Sequence, residues 1–266
     1  MPRPILIAGP TASGKSALAL ALAELAGGAV VNADSQQVYE GWRLVTARPC
    51  AGETARAPHR LFGHVPLGTP YSVGEWLRDL EPVLAECAEA GWTPVVVGGT
   101  GLYFKALTEG IAPIPAVPAA VRARVEAMLE EMGLARAAAR LAERDPETAA
   151  AIDRQNPRRV LRALEVLEAT GTGLAAWRRR TAPPLVPPGR ARRLLLDPPR
   201  AALAGRIDRR LDAMVAEGAL DEAAAVMARG LPPDAPGMKA VGGPELMAHL
   251  AGETGRAEAV ERAKAA

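Results

Sequence analysis

Residues Gly9-Pro-Thr-Ala-Ser-Gly14-Lys15-Ser16 spell G-x-x-x-x-G-K-[ST], and they stand between a short apolar run, Ile5 to Ala8, and an Ala/Leu stretch, Ser16 to Leu25. No other feature constrains the fold as much. A strand that passes through a glycine-bounded loop into the first turn of a helix curls successive backbone N–H groups around an anion, and the helix N-terminus adds the positive end of its dipole. Lys15 supplies a mobile cation, and the Ser16 hydroxyl can ligate Mg²⁺. The eight residues Gly9, Pro10, Thr11, Ala12, Ser13, Gly14, Lys15 and Ser16 are therefore expected to hold a diphosphate or triphosphate. A plain glycine turn capping a helix is the competing reading, and the strand–loop–helix context disfavours it.

The rest of the chain extends this opening into an α/β fold. A second strand is expected at Ala29 to Asn32. Residues 41 to 75, broken by Pro49, Pro58, Pro66 and Pro70, read as loops up to a helix capped by Ser72 and periodic from Trp76 to Ala90. Thr93 to Val97, stopped by Gly98 and Gly99, has the unbroken apolar character of a central parallel strand. From residue 113 the character changes, and 119 to about 177 read as amphipathic helices without a strand. A proline-rich linker, Thr181 to Pro188, leads to a returning strand at Arg192 to Asp197 and to helices near 200–217 and 220–229. The expected division is thus a core of 1–112 and 189–266 with a helical insertion of 113–188.

Composition sets broad limits. The chain has 266 residues, 49% hydrophobic and 23% charged, which suits a domain with a substantial buried core. A formal charge of +2 neither demands nor forbids a polyanionic partner, so the distribution of charge has to decide. Cys50 and Cys87 lack metal-ligand spacing and are expected as reduced thiols. No stretch is long and apolar enough for a signal peptide or a membrane span, so the cytoplasm is the expected compartment.

Two further residues could carry chemistry. An ATP-hydrolysing P-loop enzyme places a carboxylate at the end of a buried strand, whereas here the strand runs into Val97-Gly98-Gly99-Thr100 and offers only a hydroxyl. This weakens an ATPase or kinase reading. Asp34, in Asn32-Ala-Asp-Ser-Gln-Gln-Val-Tyr39, follows the second strand at the end where open α/β sheets put ligands. It suits a helix N-cap as well as an acid/base, and the residues alone leave the two open.

GPTASGKS, NADSQQVY, TARP (Thr46 to Pro49), PHRLFG, YSVGEW, VVGGTGLYFKAL, NPRRVLRALEV (Asn156 to Val166) and LLLDPPRAALAGRIDRRLDAMV, in this order and spacing, resemble the bacterial tRNA dimethylallyltransferase family over nearly the whole chain. The resemblance implies a sheet of the P-loop nucleoside triphosphate hydrolase type with an inserted helical subdomain. It implies transfer of a dimethylallyl group from dimethylallyl diphosphate to N6 of adenosine 37, in tRNAs that read codons beginning with U. Mg²⁺ would be the cofactor and tRNA the partner of a monomeric enzyme. The diphosphate would lie on Thr11 to Ser16, assisted by Thr100 and Arg206, with Ser16 toward the metal. Asp34 would accept the amine proton of a flipped-out adenine. Catalysis would then rest on Asp34, Lys15, Thr100 and Arg206. Contacts to tRNA would come from Asp34, Ser35, Gln36, Gln37 and Thr100 in the crevice, and from Arg122, Arg158, Arg159, Arg162 and Lys239 elsewhere. Composition alone reads those arginine runs as solvated faces; the resemblance turns them toward RNA phosphates.

The sequence departs from the family pattern in two places. Gly243-Pro244 stands where an aromatic–basic pair usually follows Val-Gly, and the family continues beyond the position of Ala266 into a basic, tryptophan-containing segment that touches tRNA. Both are expected to weaken contacts to RNA rather than the diphosphate site.

Overall fold

The computed structural model describes residues 2–266. Five strands, β1 (Ile5–Ala8), β2 (Ala29–Asn32), β3 (His59–Arg60), β4 (Pro94–Gly98) and β5 (Arg192–Leu195), form one sheet in the order β3-β2-β4-β1-β5. Every adjacent pair is parallel. β1, β2 and β4 are continuous runs of small and β-branched residues because both faces of the sheet are covered. On one face Leu6, Val31 and Val96 meet Trp42, Trp76 and Leu80. On the other, Ile5, Ile7, Val30, Val95 and Val97 meet Ala19, Leu20 and Ala23 of α1 (Lys15–Ala26).

Register decides where the site lies. Ala8 pairs with Gly98 and Asn32 with Val97, so β1, β2 and β4 all end at one edge of the sheet. The loops after them carry Gly9 to Gly14, Asp34 and Thr100, and a parallel sheet brings its ligand-binding loops together at that carboxyl edge. The same unit, residues 1–108 and 185–266, contains α2 (Ala51–Thr54) and α3 (Val73–Ala90). The Ser72 hydroxyl of α3 accepts from Glu75 N–H at 3.3 Å while the Glu75 carboxylate accepts from Ser72 N–H, a capping box. α4 (Gly101–Glu109) follows β4.

The second compact unit spans 109–184, displaced by four residues at each end from the expected 113–188. Its helices are α5 (Ala119–Arg144), α6 (Pro146–Ala151), α7 (Pro157–Thr170) and α8 (Leu174–Arg178). Gly133, at φ 77°, breaks α5 into two helical stretches, the division its sequence suggests. Val125, Leu141, Val160 and Leu164 build the core between α5 and α7.

The returning chain of the first unit gives α9 (Arg200–Ala216), α10 (Ala219–Met227), α11 (Gly243–Leu250) and α12 (Arg256–Ala265). The sequence does not announce β3, α2, α4, α8, α11 or α12: β3, α2 and α8 are two, four and five residues long, too short for a clear periodicity, and α12 lies in Ala/Glu/Arg-rich sequence with little amphipathic signal.

Candidate active site

The phosphate loop has the geometry its sequence dictates. Gly14 takes φ 89°, a left-handed value that costs glycine nothing, and α1 begins at the next residue. Ala12 is also left-handed, at φ 61°, where an L side chain is uncommon. Lys15 Nζ donates to the Pro10 carbonyl at 3.1 Å, folding its ammonium across the cradle. Arg206 of α9 reaches the same loop, donating to the Ala12 carbonyl at 3.5 Å. Ser16 is exposed at the first turn of α1.

Asp34 follows β2 in a turn and not in a helix, so the N-cap alternative does not apply. Its Oδ1 accepts from Gln36 N–H at 3.0 Å, an Asx turn that fixes the carboxylate relative to its own backbone. The backbone is held in turn by Asn32, fully buried, whose Oδ1 accepts from Asp34 N–H at 2.9 Å and whose Nδ2 donates to the carbonyls of Asp34 and Leu61, both at 3.0 Å. The Trp76 indole donates to the Asn32 carbonyl at 2.9 Å. β4 approaches the turn so closely that a Cβ on Gly98 would sit 2.0 Å from the Ala33 carbonyl oxygen, and one on Gly99 would sit 3.3 Å from Asp34 Oδ2. The glycine pair after Val97 therefore gives the Asp34 turn room to pack against the end of β4.

Thr100 serves this turn. Its hydroxyl accepts from Ser35 N–H at 2.9 Å and donates to Ser35 Oγ at 3.2 Å, so the oxygen expected on the diphosphate is engaged with the neighbouring loop. Gln37, expected at the RNA, donates from Nε2 to the carbonyls of Thr46 and Ala47, at 2.8 and 3.1 Å.

Two cavities meet at the phosphate loop. The narrower, ≈ 160 Å³, is lined by Thr11, Lys15 and Ser16 on one side and by Asp34, Gln36 and Gln37 on the other. Its remaining wall is largely apolar, with Val45, Ile207, Leu211, Met214 and Val241. The wider, ≈ 550 Å³, runs from Ala12–Ala17 to Arg43, Arg48, Arg206 and Arg210. Arg210 lines both and was not anticipated. The signal was present, because Arg206 and Arg210 are one helical turn apart and share a face of α9. Burial pushes the Arg210 and Lys15 cations below their ordinary pKa, and the Asp34 carboxylate acts in the opposite direction on both. Arg210 also lowers Lys15. Lys15, Arg210 and Asp34 thus form one electrostatic group around a small apolar space.

The remaining expected residues lie elsewhere. Arg122 and Arg162 both pair with Glu165, at 3.9 and 3.2 Å; this carboxylate is only 5% exposed and needs the cations that face it. Arg158 and Arg159 are exposed at the start of α7. Lys239 is exposed at the end of a short 3₁₀ turn, Pro236–Lys239. A Cβ on Gly243 would lie 3.1 Å from the Trp42 ring, so a larger residue at this position would require the ring or the backbone to shift.

The comparisons with known proteins point to one family. The model described as IPP transferase matches residues 37–266. The chain belongs to the IPP transferase family. Proteins named tRNA dimethylallyltransferase are similar to it throughout: one from Cereibacter sphaeroides is 58% identical over 264 residues, covering 99% of this chain and 82% of the relative. One from a Bradyrhizobium species is 52% identical, covering 98% and 86%. Among solved structures, the full-length tRNA isopentenylpyrophosphate transferase from Bacillus halodurans matches with TM-score 0.65 and 32% identity, covering all of this chain and 82% of its own. A eukaryotic dimethylallyltransferase acting on tRNA matches with TM-score 0.82 and 25% identity, over all of this chain and 67% of its own. Membership makes the protein a prenyltransferase on the P-loop nucleoside triphosphate hydrolase fold. Among the described residues no helix is long and apolar enough to cross a membrane.

Proposed function

We propose that the protein transfers the dimethylallyl group of dimethylallyl diphosphate to N6 of adenosine 37 in tRNAs reading codons that begin with U, releasing diphosphate. The observation that carries this reading is the ≈ 160 Å³ cavity, with the phosphate loop at one wall, the Asp34 carboxylate at another and apolar side chains between. An isoprenoid diphosphate has the same polarity pattern, an anionic head and a five-carbon apolar tail.

The chemistry follows from the wall residues. The amides of Thr11 to Ser16, Lys15 and Arg206 bind the diphosphate, and Arg210 adds a fourth source of positive potential. As the allylic C1–O bond lengthens, negative charge accumulates on the departing oxygen, and these fixed donors stabilise that charge more than they stabilise the ground state. An adenine N6 amine is a poor nucleophile because its lone pair is delocalised into the ring. Asp34, held by its Asx turn, orients the amine through one N–H and takes that proton as the C–N bond forms. Ser13, Ser16 and the diphosphate oxygens are hard oxygen donors of the kind Mg²⁺ prefers, and the Ser16 hydroxyl is exposed at the cradle. Mg²⁺ held there would neutralise charge on the leaving group.

The target adenine has to leave its stack to reach such a crevice. Arg158 and Arg159 supply sequence-independent attraction for RNA phosphates, and Lys239 supplies a further cation on the core. Arg122 and Arg162 contribute chiefly by keeping α7 and Glu165 in place.

The test is mass spectrometry of tRNA nucleosides after incubation with dimethylallyl diphosphate and Mg²⁺, with and without ATP. Appearance of N6-(dimethylallyl)adenosine with no ATP consumed is the expected result. Formation of ADP with a phosphorylated acceptor, and no prenylated adenosine, would replace this reading with that of a P-loop kinase.

A further inference from the structure

The wall that faces the phosphate loop is built around a carboxylate that neither the motif nor the reaction identifies. Glu222 of α10 accepts from the backbone N–H groups of Arg43 and Leu44 on Oε1, at 2.6 and 2.9 Å, and from that of Val45 on Oε2, at 2.9 Å. Three successive amides converging on one anion make a backbone nest, the device that the phosphate loop uses for its ligand. Here the occupant belongs to the protein.

The segment so held contributes to both cavities. Arg43, Leu44, Ala47 and Arg48 line the wider one, and Val45 and Thr46 line the narrower one beside Asp34. It has little regular structure of its own: residues 44–47 form turns, and Ala47 is left-handed at φ 51°. Its flanks are tied to the surrounding core. The fully buried Trp42 donates its indole N–H to the Gly237 carbonyl at 2.7 Å, and Glu40 pairs with Arg229 just beyond α10. Arg48 is half-buried and donates Nε–H to the Trp42 carbonyl at 3.0 Å. Burial pushes the Arg48 guanidinium down, and of the carboxylates that oppose this effect Glu222 acts more strongly than Glu40.

We propose that Glu222 is a positioning residue for the donor: its carboxylate is the fixed anion of a second nest, at Arg43–Val45, that sets the 42–48 wall against the phosphate loop and so governs affinity for the prenyl diphosphate. Loss of the anion leaves three N–H groups without a common acceptor. Water can satisfy them singly, because the site is only half-buried, but cannot aim them at one point. The wall then drifts, carrying Arg48 and Val45 away from the head and tail of the donor. Asp34 keeps its own turn, so the chemical step at saturating donor is preserved.

This rests on the reading of the donor as dimethylallyl diphosphate, and the experiment separates the two. Binding of dimethylallyl diphosphate is measured by calorimetry on the parent, Glu222→Gln and Glu222→Ala, together with steady-state kcat and KM for the donor. Glutamine matches glutamate in size but has one accepting oxygen, and its NH₂ would face a backbone N–H. Donor Kd and KM are expected to rise about tenfold in Glu222→Gln and further in Glu222→Ala, with kcat within about twofold of the parent. A general loss of stability would lower the active fraction without raising KM. If Glu222→Ala does not fold, Glu222→Gln carries the test. Parent-like donor affinity in the folded variants, or a fall in kcat at unchanged KM, would overturn the role of Glu222. A parent protein that does not bind the donor would instead overturn the proposed function.

Discussion

The phosphate loop and the wall opposite it bound the same crevice but are held by different physics. The loop is a local object: Ser13 N–H donates to Pro10, Leu18 N–H to Gly14 and Lys15 Nζ to Pro10, all within nine residues of one another. The opposing wall, Asp34 to Arg48, is assembled from a distance. Asn32 links it to Leu61, Thr100 holds Ser35, Trp76 holds Asn32, and Glu222 gathers the amides of Arg43 to Val45. Local geometry makes one half of the site a motif; long-range packing makes the other half a consequence of the whole fold.

The contrast predicts different failures for the two halves. Lys15→Ala removes the charge that meets the leaving group and should lower kcat/KM for prenyl transfer by about 10³-fold with little change in thermal stability. An intact rate would mean that the cradle does not hold the reacting diphosphate. Gly98→Ala attacks the opposite half through packing, since the new Cβ would lie 2.0 Å from the Ala33 carbonyl. It should destabilise the protein by about 3 kcal/mol in chemical denaturation and move the Asp34 turn with it. Gly99→Ala, where the corresponding distance to Asp34 Oδ2 is 3.3 Å, should be far milder, and equal effects at both positions would refute the account of how β4 supports the turn.

Outside both halves, replacing Arg158 and Arg159 together by alanine should raise KM for tRNA about tenfold and flatten the salt dependence of RNA binding by roughly one to two units, with donor affinity unchanged. A change in donor affinity would mean that the helical unit influences the crevice. Thr100→Val deletes one hydroxyl that bridges Thr100 to Ser35. A fewfold loss of rate, accompanied by about 1 kcal/mol of stability, is the expected result. A loss as large as that of Lys15→Ala would instead return the Thr100 hydroxyl to the diphosphate.

The same contrast explains what the sequence could tell. G-P-T-A-S-G-K-S between an apolar run and an Ala/Leu run determines a strand, a nest and a helix because each conformation depends on neighbours in the chain. Ser72 and Glu75 announce the start of α3 for the same reason. Asp34 was legible as a candidate but not as a turn, because what keeps it out of a helix is Asn32 hydrogen-bonded to Leu61, 29 residues away. Glu222 gave no signal at all. On α10 it looks like any acidic residue in a first turn, and only the fold brings it to amides about 180 residues earlier in the chain. Arg122 and Arg162 show the reverse case: two arginines that the resemblance turns toward RNA are partly neutralised by Glu165, whose burial becomes visible only in the fold.

The central claim is that diphosphate binding and amine activation are separate duties of the two facing walls. The most direct measurement is the single-turnover rate of tRNA prenylation by Asp34→Asn, taken with its dissociation constant for dimethylallyl diphosphate. The account predicts a rate reduced by about 10²-fold or more with donor affinity within about twofold of the parent. A parent-like rate, or a lost rate explained entirely by lost donor binding, would contradict it.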